Sequence, residues 1–129
     1  MNRQIFFLRE TKRVVSLILN QNSEKIAQVR FSPPCYQSSL PRTAYLHNIN
    51  VEPKYRNENI GSTLLKNMNR YLKENTHANK ITGVLWDDTT NPFLSSFFEK
   101  NGYSLKKDEF EIYDDGEIMV EITPIERNL

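Results

Sequence analysis

Tyr45-Leu46-His47-Asn48-Ile49-Asn50-Val51-Glu52-Pro53-Lys54-Tyr55-Arg56-Asn57-Glu58-Asn59-Ile60-Gly61-Ser62-Thr63-Leu64-Leu65, residues 45–65, changes its period midway. Up to Val51 the apolar residues follow a strand pattern, and strict alternation breaks around His47-Asn48, as a β-bulge would make it do. A polar connection follows. From Ile60 the apolar positions Ile60, Leu64, Leu65, Met68, Tyr71 and Leu72 share one helical face. Asn59 stands where a side-chain cap is expected, and the helix is expected to end within residues 75–79. The segment is thus a bulged strand, a polar loop and an amphipathic helix.

Upstream, residues 3–8, 12–20 and 24–31 read as strands, with Asn20-Gln21-Asn22-Ser23 as a hairpin turn. Residues 32–42 hold Pro33, Pro34 and Pro41 and read as a loop; Thr43 opens the bulged strand. Downstream, residues 80–86 form a short apolar strand, and Asn91-Pro92 opens a second helix with Phe93, Leu94, Phe97 and Phe98 on its apolar face. Gly102 suits the left-handed position that ends it. Residues 103–107, 109–113 and 117–123 read as closing strands turned at Asp114-Asp115-Gly116. The order implies an α/β (α+β) fold: a mixed, mostly antiparallel sheet of about six or seven strands with two main helices.

The 129 residues fit a single domain, 1–129, with ordinary proportions of hydrophobic (38%) and charged (26%) residues. A net charge of +1 and the lack of a concentrated basic stripe argue against nucleic acid as a partner. The apolar run at residues 5–8 is too short for a signal-peptide core or a membrane span. Cys35 is the only cysteine, so an internal disulfide and a cysteine metal site are excluded, no metal is expected, and a reducing cytoplasm fits best. Charge is uneven all the same. Residues 1–30 carry Arg3, Arg9, Lys12, Arg13, Lys25 and Arg30 against Glu10 and Glu24, while residues 108–121 are acidic without a lysine or arginine.

Residues 45–65 resemble the acyl-CoA motif of the GNAT superfamily of N-acetyltransferases, in which a bulged strand ending in Val-x-Pro runs into (Arg/Gln)-x-x-Gly-x-(Gly/Ala) and a helix. Residues 91–103, from Asn91-Pro92-Phe93 to Asn101-Gly102-Tyr103, resemble the family's second signature. The resemblance covers residues 43–103 and extends weakly to 123. It implies an enzyme that moves an acetyl group from acetyl-CoA to a primary amine, on a protein, a peptide or a small cationic molecule, by direct attack in a ternary complex. The alternative is a CoA-binding regulatory or interaction module of the same fold with little catalysis. Asn59 stands where the family has its first glycine; asparagine tolerates left-handed dihedrals better than other side chains.

Physical chemistry supports the same placement. A pyrophosphate needs converging N–H donors, and a polar loop entering a helix N-terminus supplies them with the positive end of the helix dipole. Arg56, Asn57, Asn59, Ile60, Gly61 and Ser62 are therefore candidate cofactor contacts, with Arg56 adding fixed charge. In the family the bulge splays the strands, so the pantetheine arm would pair with Ile49, Asn50 and Val51, and the Ile49 main chain would hold the developing oxyanion. Asn91 aligns with a pantetheine contact or is a plain helix cap; Phe98 is a further candidate cofactor contact and occupies the position where the family often has a tyrosine acid; Phe93, Phe97 and Phe98 are otherwise mainly core, with one edge lining the groove. Lys100 either reaches a phosphate or is solvated. His47 is the candidate general base; its other reading is a hydrogen-bonded or exposed strand histidine. His77, near the end of a helix, suits a helix-dipole contact.

The first 42 residues show no convincing amphipathic helix, so the helices that roof the acceptor site in most of the family are expected to be reduced or absent. An open site suits a protein or peptide amine, or requires a second copy, as in a homodimer. The acidic segment 108–121 is similar to the acceptor-side hairpin of protein N-terminal acetyltransferases, or is a charged edge hairpin that resists edge pairing.

Overall fold

The computed structural model describes residues 2–35, 40–87, 94–106, 111–114 and 119–129. Strands β1 (Arg3–Arg9), β2 (Val15–Gln21), β3 (Glu24–Ser32) and β4 (Thr43–Val51) come first. A 3-10 turn (Pro53–Tyr55), helix α1 (Ile60–Asn75), β5 (Lys80–Asp87) and α2 (Leu94–Lys100) follow, and β6 (Ser104–Leu105), β7 (Glu111–Asp114) and β8 (Met119–Asn128) close the chain. The sheet runs β1-β2-β3-β4-β5-β8-β6, and β7 also pairs β8. Because β6 and β7 pair different halves of β8, the eight strands fill seven positions. Among the described strands only β4 and β5 pair in parallel; α1 makes the crossover between them.

No helix separates the first two strands. Residues 10–14 turn directly from β1 to β2, which pair antiparallel from Arg3↔Gln21 to Arg9↔Val15. The second strand begins at Val15 rather than Lys12, because the Thr11 hydroxyl accepts the N–H groups of Arg13 and Val14 at 3.1 and 3.0 Å and holds them in a turn. The β2–β3 hairpin closes through Asn22 and Ser23, both at positive φ (50° and 69°).

The core lies between one sheet face and the helices. Leu17, Val29, Phe31, Ala44, Leu64, Met68, Leu72 and Ile81 are fully buried there. The expected helical face is the observed one: Ile60, Leu64, Leu65, Met68 and Leu72 are buried. Tyr71, at its margin, packs its ring 4.6 Å from that of Phe7 on the edge strand β1.

Gly102 ends α2 at φ 90°, with its N–H on the Glu99 carbonyl and that of Tyr103 on Phe98. A Cβ at this position would stand 2.7 Å from Arg127 Nε. Gly102→Ala is accordingly expected to cost more than about 1 kcal/mol, read as a fall in urea midpoint at unchanged slope. No helix of the described residues is long and apolar enough to cross a membrane.

Candidate functional site

The site begins where β4 parts from β5. Their ladder runs only from Thr43↔Lys80 to Leu46↔Gly83. Beyond it β5 continues on β8 while β4 continues on β3. Gly83 permits the last contact: a Cβ there would lie 2.9 Å from the Leu46 carbonyl oxygen. The bulge falls at the divergence, since Arg30 pairs with Asn48 and Phe31 with Leu46, leaving His47 as the extra residue.

Main-chain directions follow from the ladder. The Glu52 N–H donates to the Ile26 carbonyl at 2.8 Å, toward β3. Main-chain groups alternate along a strand, so those of Asn50 also point to β3 and those of Ile49 and Val51 point to the open edge. Arg56 agrees: its Nε donates to the Val51 carbonyl at 3.1 Å from that side.

The connection from β4 to α1 is compact. Tyr55 and Arg56 N–H groups bond the Glu52 and Pro53 carbonyls at 2.9 and 3.3 Å. Asn57 then takes φ 71° and Asn59 takes φ 60°, ψ 20°, so both asparagines adopt the left-handed conformation. The expected side-chain cap is absent: Asn59 occupies the cap position but its side chain makes no cap hydrogen bond. Its carbonyl instead accepts the Thr63 N–H and hydroxyl, both at 3.0 Å. The N–H groups of residues 60–62 precede that first intrahelical bond and have no partner within the helix.

These pieces line one cleft of about 410 Å³. Residues 49–51, 55–57 and 59–62 form one side, and Leu94, Phe97 and Lys100 of α2 form the other. Nine of the expected cofactor contacts (residues 49–51, 56, 57 and 59–62) therefore come together. Phe97 closes the cleft against α1, where a Cβ on Gly61 would stand 3.0 Å from the ring. The glycine thus lets the Phe97 ring approach α1 closely, and a side chain there would have to push the ring aside. Phe98 lies one residue further round α2, in the core, 6% exposed and 5.3 Å from the Tyr103 ring. The phenylalanine that lines the cleft is Phe97. Tyr103 is buried, its hydroxyl has no hydrogen-bond partner among the described residues, and burial pushes its pKa well above the usual phenol value. Asn91 and Phe93 lie outside the described residues, as do residues 108–110 and 115–118 of the acidic segment. Tyr55 and Leu94 were not anticipated as cleft residues; Phe97 carried a signal in its place on the apolar face of α2, and Lys100 in its charge.

His47 sits on the other sheet face. Leu46 is buried in the core, whereas the exposed Tyr45 and His47 stack edge to face with ring centres 4.9 Å apart. Ser32 Oγ and His47 Nε2 are 2.6 Å apart. Burial depresses the His47 pKa below its ordinary value, and the positive charge of Arg30 adds to this against an opposing pull from Glu10. Arg30 is itself paired with Glu10 at 2.9 Å. The open edge of β4 therefore separates a cleft built by α1 and α2 from a polar face carrying a neutral-leaning imidazole.

A family model described as an acetyltransferase (GNAT) domain matches residues 6–105. No curated protein matches the sequence. Among solved structures, a GNAT family acetyltransferase from Elizabethkingia anophelis with acetyl-CoA bound superposes with TM-score 0.72 at 18% identity, covering 99% of each chain. An acetyltransferase of the GNAT family from Streptococcus pneumoniae gives TM-score 0.74 at 14% identity over 93% of this chain and 70% of the other. The PaiA N-acetyltransferase of Thermoplasma acidophilum, in complex with coenzyme A, gives 0.62 at 19% identity over 91% of this chain and 62% of the other.

Proposed function

This chain belongs to the GNAT acetyltransferase family, and from that premise we propose that it moves the acetyl group of acetyl-CoA to a primary amine by direct attack in a ternary complex. The observation that carries the reading is the main-chain edge of Ile49 and Val51, which pairs with no strand among the described residues and opens onto the cleft at the N-terminus of α1. In this reading the N–H groups of residues 60–62 and the Arg56 guanidinium hold the pyrophosphate. The pantetheine arm adds to β4 as a short strand along residues 49–51. The Ile49 N–H faces the thioester oxygen, where charge develops as the amine nitrogen attacks the carbonyl carbon.

The amine approaches from the polar face. An amine of lysine type is mostly protonated at neutral pH, so its proton needs an acceptor. His47 takes it, through Ser32 or a water molecule, and its depressed pKa keeps the ring neutral for the purpose. The leaving thiolate takes its proton from water, because Phe98 has none to give and the Tyr103 hydroxyl is buried with a raised pKa. An open face without roofing helices favours a protein or peptide amine over a small enclosed one, with the acidic segment 108–121 attracting its charge. A second copy of the chain is the partner that would close it; Ile5, Phe6, Phe7 and Leu8 of edge strand β1 stand 39–48% exposed and offer a surface. We assign one domain, acting in the cytoplasm.

Release of CoA from acetyl-CoA in the presence of a panel of peptide and small-molecule amines tests the reaction. Stimulation by at least one cationic amine is the expected result; turnover equal to the amine-free rate with every acceptor would leave a CoA-binding module. Gly61→Val tests the cleft separately. Its side chain must displace the Phe97 ring, and overpacking of this kind costs roughly 1–3 kcal/mol. Acetyl-CoA binding by calorimetry is expected to weaken about tenfold or more, whereas Ser62→Ala, which leaves the main chain in place, is expected to have a smaller effect.

A further inference from the structure

A second concave site lies at the far end of α1. Its volume is about 570 Å³, within the range of small-molecule sites. It is lined by Arg9, Lys12 and Arg13 from the β1–β2 turn, by residues 33–35 after β3, and by Tyr71 and residues 75–77 from the end of α1. A helix of 16 residues spans about 24 Å at 1.5 Å per residue, so this site stands apart from the cleft at the other end.

The charges are one-sided. None of the lining residues, among those described, is a carboxylate. Arg3, Arg30, Lys80 and Lys106 each meet a glutamate within 4 Å, but among the described residues Arg9, Lys12 and Arg13 meet none. Among the described residues Arg9 Nη1 donates only to the Lys12 carbonyl at 3.2 Å, which ties the two strands of the turn together. Thr11 fastens the same turn through the main-chain N–H groups of residues 13 and 14, so the cationic side chains project from a fixed backbone. Glu10, next in sequence, is already engaged by Ser16 and Arg30. The end of the α1 dipole accounts for some of this positive charge, but half an elementary charge does not balance three cations.

We propose that this cleft binds a small organic phosphate carrying two or more negative charges. Two forked guanidinium groups and one ammonium supply the donors such an anion requires. Pro33, Pro34 and the Tyr71 ring supply apolar surface for its organic part. A concave site of this size favours a compact ligand over a nucleic-acid strand, which would need a longer basic track.

Titration of the full chain with inorganic tripolyphosphate, followed by amide NMR, tests the site. The expected result is saturable shifts at residues 11–14, at Cys35 and at residues 75–77 that persist in Arg56→Ala. Lys12→Glu combined with Arg13→Glu should weaken those shifts at least tenfold while acetyl-CoA binding is unchanged. Both side chains are exposed, and a thermal midpoint equal to that of the parent checks the fold; Lys12→Gln gives the milder variant. Shifts confined to residues 56–62, an affinity indifferent to the double variant, or a response to duplex RNA or polyglutamate with none to tripolyphosphate would each overturn the proposal. Loss of acetyl-CoA binding with tripolyphosphate binding retained would count against the acetyl-transfer reading alone.

Discussion

His47→Ala is expected to lower the rate of acetyl transfer about a hundredfold, at the lower end of what a positioned general base contributes. His47 is the bulged residue beside the open edge of β4, its Nε2 is held by Ser32 at 2.6 Å, and its ring is braced against Tyr45. Its pKa lies below the ordinary histidine value because partial burial disfavours the charged ring and Arg30 repels it. The neutral ring therefore predominates above pH 6.5, and the plateau of kcat is expected to begin below that pH. In His47→Ala that acid limb should vanish together with the rate. An unchanged rate with an unchanged pH profile would remove His47 from the mechanism. Ser32→Ala separates the two routes for the proton: a loss comparable to that of His47→Ala indicates relay through the hydroxyl, and a small loss indicates water.

The same shift has a consequence for stability. The pKa of His47 is lower folded than unfolded, so the unfolded chain binds the proton more readily. Stability is fully present above the unfolded value of about 6.5 and falls as pH drops from there toward the folded value. Glu10 acts in a separate, lower window. The Ser16 hydroxyl and Arg30 hold its carboxyl below the usual value, and its contribution is lost as pH falls through that lowered value. His47→Gln should flatten only the upper window.

The second large effect is expected from Leu64→Ala. Leu64 is completely buried on the core face of α1, one turn after Ile60, against the strands that carry the site. Truncating such a leucine leaves a cavity and costs about 2–5 kcal/mol, a substantial part of the roughly 5–15 kcal/mol that holds a domain together. A fall in the urea midpoint with unchanged slope is the measurement. Because α1 carries the donors of residues 60–62 at its first turn, loosening its packing should also weaken acetyl-CoA binding. A full-strength cleft on a destabilised fold would mean that the loop holds itself without the helix.

Much of this was legible in residues 43–103. The broken alternation at His47-Asn48 located the bulge, because only an extra residue reconciles core positions Leu46 and Ile49 with one strand. The 3.6-residue period from Ile60 gave the buried face of α1 in full. Asn59 shows where local rules stopped short: asparagine is a good side-chain cap, yet the loop takes it left-handed, and its carbonyl does the capping work through Thr63. Lys12 to Val14 look like strand by composition, but the Thr11 hydroxyl captures the N–H groups of Arg13 and Val14 first. The last strand continues to Asn128 through Glu126 and Arg127, polar residues that only the neighbouring β5 and β6 ladders keep extended. Which of two adjacent phenylalanines faces the cleft was beyond reach, since Phe97 and Phe98 differ by one helical step and the choice depends on how α2 meets Gly61.

Titrating the protein with acetyl-CoA while following its backbone amides tests the central claim most directly. Saturable shifts at Ile49, Val51 and residues 56–62, with affinity reduced in Arg56→Ala, are the result this account requires. Absence of binding at millimolar ligand, or shifts that leave the open edge of β4 untouched, would contradict it.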